Sequence, residues 1–231
     1  MLKIKKSLSR IYSKISDYIF YTENFHKYQM KYSGIYSNNY EMSEDQISFV
    51  HPPKSAGTSI NTFLMENKVF IHNSAHNLVS IKCDPEKYKY ITVIRDPIKR
   101  IKSFYEMQLN NKKLSFHNHA KKGLNFFVSK LKINQNCLCK FIIGNLDKDI
   151  TEEDFKKVKK NLKNFFFIIN FNKLEEDISK LKEKLDIDEE MKHIGKKKKS
   201  KIIDYSSENI ENIIKFNKFD IKLYNDYITN N

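Results

Sequence analysis

Apolar residues in this chain come in short unbroken runs, and each run is followed by a stretch in which they recur every three or four positions. The run from Ile47 to His51 stops at Pro52-Pro53, residues that cannot extend a ladder, so it predicts a buried strand. Helical spacing follows at Ile60, Phe63 and Leu64. A second run, Tyr90 to Arg95, predicts another strand, and Ile98, Ile101, Phe104, Tyr105 and Leu109 then mark one face of a helix. Asp96 stands at the N-cap of that helix and Pro97 at its first position, a strong start signal. A third unit opens at Thr151, with Asp154 as a capping-box variant, and continues through Phe155, Val158 and Leu162 into the strand run Phe165 to Ile169. Leu174, Ile178, Leu181 and Leu185 predict the next helix, and Ile210, Ile213, Ile214, Phe216, Ile221 and Tyr224 a single closing one.

Strands that alternate with helices imply an α/β fold with a central parallel sheet covered on both faces. Residues 1 to 46 differ in character: they are polar, Tyr-rich and basic, with Leu8, Ile11, Ile15 and Ile19 at helical spacing before a looser stretch from Gly34 to Gln46. They read as a basic helical extension, and residues 47 to 231 as the functional domain. A length of 231 residues with 40% hydrophobic and 13% aromatic content suits one core plus such an extension.

Charge narrows the partners. Lysine and arginine number 42 against 28 acidic residues, a formal net charge of +14, which favours anionic partners through long-range attraction. Much of the excess is lysine and comes with abundant Asn and Ile, a pattern of AT-rich coding, so no nucleic-acid partner is expected from charge alone. Cys83, Cys137 and Cys139 form no zinc-like pair of pairs and read as free thiols in a reducing compartment. Charges and serines interrupt the N-terminal segment, which therefore offers neither a signal peptide's apolar run nor a span of about 20 apolar residues. The expectation is a cytoplasmic protein whose basic N-terminal extension can meet a membrane surface.

Two segments carry chemistry. In the first, the strand at Phe49 is followed by Pro52-Pro53-Lys54-Ser55-Ala56-Gly57-Thr58-Ser59 and a helix. Such a turn aims backbone N–H groups and the positive end of a helix dipole at one point, and Lys54, Thr58 and Ser59 add a charge and two hydroxyl donors. It is not a Walker A loop, because the lysine precedes the glycine by three residues and does not follow it. In the second, Arg95 ends a strand and Ser103 lies two turns along the following helix. Ligands of open α/β sheets bind outside the carboxyl ends of strands, so both loops are expected to face one crevice, where Arg95 offers a planar fork to a phosphate.

These residues resemble a known family. The stretch from Pro52 to Ser59 is similar to the 5′-phosphosulfate loop of sulfotransferases that use PAPS (3′-phosphoadenosine 5′-phosphosulfate). The stretch from Arg95 to Tyr105 resembles their 3′-phosphate motif, Arg-Asp-Pro-x-x-Arg-x-x-Ser-x-Tyr. The two motifs lie about 40 residues apart, each after a strand, and the variant resembles the Golgi carbohydrate and uronyl O-sulfotransferase branch more than the cytosolic phenol and steroid branch. The resemblance is clear from residue 47 to 109, looser beyond, and does not cover residues 1 to 46.

It implies a P-loop-like three-layer fold, PAPS as donor and PAP as product, a carbohydrate acceptor, and no metal. Pro53, Lys54, Ser55, Ala56, Gly57, Thr58 and Ser59 would form the 5′ loop, with Lys54 on the leaving oxygens, while Arg95 and Ser103 would hold the 3′-phosphate. An acceptor hydroxyl needs a base, and the resemblance points to His76, with His72 as the substitute. His51, and the pair His117 and His119 in a polar, solvated stretch, carry less weight. The basic run Lys196 to Lys199 with Ser200 resembles a loop that closes over the nucleotide, although Gly195 stands where an Asn is usual. Two rivals stay open at this point: a P-loop kinase, which would want an Asp directly at the end of the second strand, and a non-catalytic basic protein that binds glycan or nucleic acid.

Overall fold

The computed structural model describes residues 38–67, 69, 76–188, 191 and 205–230. The ordered elements begin with β1 (Ile47–Val50), α1 (Gly57–Glu66), β2 (Lys89–Ile94) and α2 (Pro97–Asn110). Three short helices follow, α3 (His117–Lys121), α4 (Leu124–Lys130) and α5 (Cys137–Ile142), with a single 3₁₀ turn, Lys132–Asn134, before α5. Then come α6 (Glu152–Lys163), β3 (Phe167–Asn170), α7 (Leu174–Leu185), α8 (Ser207–Phe216) and α9 (Lys218–Asn230).

The three strands make one parallel sheet in the order β1-β2-β3, with Val50 opposite Thr92 and Ile94 opposite Asn170. Val50 also bridges in parallel to Asn77. The chain therefore leaves β1, returns along the edge that β2 leaves open, and crosses to the other side to form β2. Such a reversal opens a crevice at the carboxyl ends of the strands on either side of it.

Alternation along each strand divides the core into two layers. Ile47, Phe49, Ile91, Val93 and Ile169 face one layer, where they meet Ile60, Phe63 and Leu64 of α1 and Ile178 and Leu181 of α7. Val50, Tyr90 and Ile94 face the other, packed with Cys139, Phe141 and Ile142 of α5, Phe155, Val158 and Leu162 of α6, and Phe219 and Leu223 of α9. A satellite cluster joins α2 to α3, α4 and Ile213 of α8. The α/β architecture expected from the sequence is present, as a small parallel sheet flanked by helices.

Several local signals act as read. Asp96 caps α2 by accepting from the N–H groups of Ile98 (2.8 Å) and Lys99 (3.1 Å), and Thr151 with Asp154 forms a full capping box on α6. Three features differ. The expected single closing helix is two, broken at Asn217, because the Asn217 side chain turns inward to accept from the Asn136 N–H. Residues 38 to 46 belong to the packed unit: Tyr40 and Met42 are buried in the core, and the Tyr40 hydroxyl lies 2.7 Å from Ser48 Oγ and donates to the Leu78 carbonyl. The stretch from 117 to 142 is helical, and His117 is buried with Nδ1 on the Gln108 carbonyl at 2.9 Å, so it is not a solvated loop histidine.

Helix α5 shows why the C-terminus matters. The carboxylate of Asp220, 1% exposed, accepts from the N–H groups of Leu138 and Cys139, both at 3.0 Å, and Asn136 returns the favour by accepting from Phe219 N–H at 2.9 Å. The helix dipole and two otherwise orphaned donors are satisfied by one buried charge. All three cysteines are free and buried, and burial holds the Cys137 thiol up at about 11, so it packs as an apolar group. Among the described residues no helix is long and apolar enough to cross a membrane.

The leading twenty residues, including the expected helix at Leu8 to Ile19, lie outside the described residues. Replacing Asp220 with alanine strands two buried N–H groups, at a cost of roughly 2–5 kcal/mol. A urea melt should show a lower midpoint with little change in slope, because the surface exposed on unfolding is nearly the same.

Candidate anion-binding site

The loop after β1 is shaped by its backbone. Lys54 and Ala56 both adopt positive φ, 71° and 58°, a conformation that costs a non-glycine residue on the order of 1 kcal/mol or more. They flank Ser55, which is fully buried and whose Oγ has no hydrogen-bond partner. Gly57 then opens α1, and no side chain caps that helix. Thr58 is exposed and Ser59 nearly buried at the same end. Curled backbone, an uncapped helix N-terminus and a buried hydroxyl that lacks a partner are the features that suit a loop to an anion. Gly57 is required for its missing side chain: a Cβ there would overlap the His51 ring behind it.

Arg95 stands at the carboxyl end of β2 and donates from one terminal nitrogen to the Lys54 carbonyl. Its guanidinium lies over the Phe171 ring at 4.3 Å, so it also reaches the end of β3. Its Nε is buried and lacks a partner. Burial, and then the nearby positive charge of Arg100, pull the Arg95 pKa below its ordinary value. Ser103 is half-buried on α2, two turns beyond Arg95. Further along α2, Met107 Sδ receives the Lys54 Nζ at 3.7 Å, which ties the tip of the loop to this helix.

Arg100, the second arginine of the Arg95 to Tyr105 motif, was assigned no role from the sequence. It is 2% exposed, donates to Asn134 Oδ1 at 2.9 Å and to the Asn134 carbonyl at 3.2 Å, and its Nε lacks a partner. The available signal was its place on the inner face of α2, one position before Ile101 and four before Phe104, where a cation must be buried. Two guanidinium groups with unfilled donors thus lie near the same strand end, a positive field for an incoming anion.

His76 stands beside the end of β1, brought there by the bridge between Val50 and Asn77. Its Nδ1 lies 3.2 Å from the His51 carbonyl, which can only accept, so Nδ1 carries the proton and Nε2 the lone pair. Burial lowers the His76 pKa, which keeps the ring neutral at ordinary pH. The structure brings Pro53 to Ser59, Arg95, Ser103 and His76 to the same end of the sheet. His72, the run Lys196 to Lys199 and Ser200 lie outside the described residues.

No protein-family model matches the chain, and no curated protein matches it. Because Ser55 Oγ satisfies nothing within the protein, Ser55→Ala should leave the melting temperature unchanged or slightly raised while weakening the stabilisation that added sulfate or phosphate confers. Thermal shift as a function of anion concentration measures both effects.

Proposed function

We propose that the protein is a PAPS-dependent sulfotransferase of P-loop-like fold that transfers a sulfuryl group to a hydroxyl of a carbohydrate acceptor. The observation that carries this reading is the hydrogen bond from Arg95 to the Lys54 carbonyl, which joins two anion-binding elements at adjacent strand ends. A ligand with phosphates at both ends of an adenosine fits such a pair, with its 5′ end on the loop from Pro53 to Ser59 and its 3′-phosphate at Arg95 and Ser103. The unfilled donors at Ser55 Oγ and Arg95 Nε are those such a ligand would complete.

The reaction is in-line displacement at sulfur. His76 Nε2 takes the proton of the acceptor hydroxyl, the oxygen forms a bond to sulfur, and the bond from sulfur to the 5′-phosphate oxygen breaks. The products are a sulfate ester, PAP and a protonated His76. Charge that collects on the departing phosphate is stabilised by Lys54 and the N-terminus of α1, so the rate enhancement comes chiefly from positioning and preorganised electrostatics. A kinase-like alternative is disfavoured by Asp96: the carboxylate that follows the end of β2 is engaged through Oδ1 as the cap of α2.

Transfer of labelled sulfate from PAPS to a panel of glycans tests the reading; no transfer, together with equal affinity for ATP and PAP, would refute it. Lys54→Ala should lower kcat by about 10²–10³ and His76→Ala by about 10²–10⁴, with PAP still bound by the His76 variant. Arg95→Ala should remove about 1.5–3 kcal/mol of preference for PAP over adenosine 5′-phosphate, measured by calorimetry. The pH profile should carry a sign: because burial lowers the His76 pKa, the base stays deprotonated below the ordinary histidine value, and kcat should fall only as pH drops through that lowered pKa.

A further inference from the structure

Behind the donor loop lies a second imidazole that the proposed transfer does not use. His51 ends the β1 run with its ring 2% exposed, stacked on Phe49 at 4.2 Å between centroids and tilted against the His76 ring at 4.7 Å. Its Nδ1 donates to the Phe49 carbonyl at 3.3 Å, which leaves the lone pair on Nε2. The Nε2 and Cδ2 edge of the same ring occupies the space where a Gly57 side chain would stand. One ring thus touches the strand, the first residue of α1 and the candidate base.

That triple contact has mechanical consequences. The edge of the ring fixes how closely the N-terminus of α1 approaches the end of β1, and so where the donor loop sits. The same ring packs against His76 at a tilt and so contributes to its burial. The ring does so without adding charge: burial first, and His76 second, push the His51 pKa down to about 3, so the wall stays neutral while His76 cycles a proton. Burial is likewise the leading cause of the lowered His76 pKa, and the opposing influence is the hydrogen bond to the His51 carbonyl. Among the described residues the titratable neighbour that shifts His51 is His76, and no carboxylate or cation contributes to the shift of either ring.

We infer that His51 is a positioning residue, a neutral wedge that sets the spacing between the donor loop and His76 and shields the inner face of the base from water. The inference rests on the reading of His76 as the base, and the wedge is tested by readouts that do and do not require turnover. In His51→Ala, kcat should fall about tenfold or more, as expected when a catalytic group is displaced by a fraction of an ångström to 1 Å. KM for PAPS should stay within about twofold, because the loop's own donors remain. Both the acid limb of kcat and the imidazole NMR titration of His76 should move upward, towards the ordinary histidine value of about 6.5.

A folded His51→Ala protein in which the His76 titration does not move overturns the inference, including the case in which kcat falls, since that pattern marks a merely structural role. If the alanine variant does not fold, His51→Gln carries the same criterion: it keeps reach towards Gly57 but loses the flat ring, and should give a smaller shift of the same sign. Were the wild type to transfer no sulfuryl group, the sulfotransferase reading would fail, while the His76 titration in the two proteins would still decide the wedge.

Discussion

A single guanidinium spans the carboxyl ends of the whole sheet. Arg95 leaves β2, donates to the carbonyl of Lys54 in the loop after β1, and stacks on Phe171 just past β3. Parallel strands place all their carboxyl ends on one side, so one residue of the right length can reach both neighbours of the central strand. The contact matters because the loop it holds is strained at Lys54 and Ala56. A strained loop persists only when its surroundings over-determine it, and here Arg95 from one side and the contact of Lys54 with Met107 from the other supply that constraint.

The two ends of the molecule treat polar groups in opposite ways. At the back of the core, Asp220 and Asn136 pair reciprocally with backbone N–H groups, and the Tyr40 hydroxyl sits between Ser48 and the Leu78 carbonyl, so these buried polar groups find partners. At the strand ends, Ser55 Oγ and the Nε atoms of Arg95 and Arg100 are buried without a partner. Leaving a buried donor unfilled costs on the order of 1–3 kcal/mol. Several such costs fall close together beside an uncapped helix N-terminus, and two of the unfilled groups, the Arg95 and Arg100 Nε donors, carry positive charge.

The histidines divide along the same line. His117 is consumed by packing, its Nδ1 spent on the Gln108 carbonyl deep under α2. The His51 and His76 rings pack against each other at a tilt beside the end of β1, and burial keeps both neutral. A neutral imidazole with a fixed tautomer is the form a general base needs before it acts. The glycine at position 57 belongs to this arrangement as much as to the anion loop, since its lack of a side chain is what lets the His51 ring lie against the start of α1.

Which parts were legible from residue order follows from the range of the physics. Strands β1 and β2, the Asp96 cap, the Thr151 capping box and helix α7 depend on neighbours within a few positions, and the sequence declares them. The candidate site's loop and Arg95 were legible for the same reason: each follows a strand and carries its own donors. The break at Asn217, the burial of Arg100 against Asn134, the place of Tyr40 in the core and the wedge of His51 are held by partners as far as 81 positions away along the chain. Only the folded chain chooses such partners, because a side chain's burial and hydrogen bonds are set by what packs against it and not by what precedes it. Local pattern therefore decided the elements and the donors, and packing decided which donors the protein itself left unfilled.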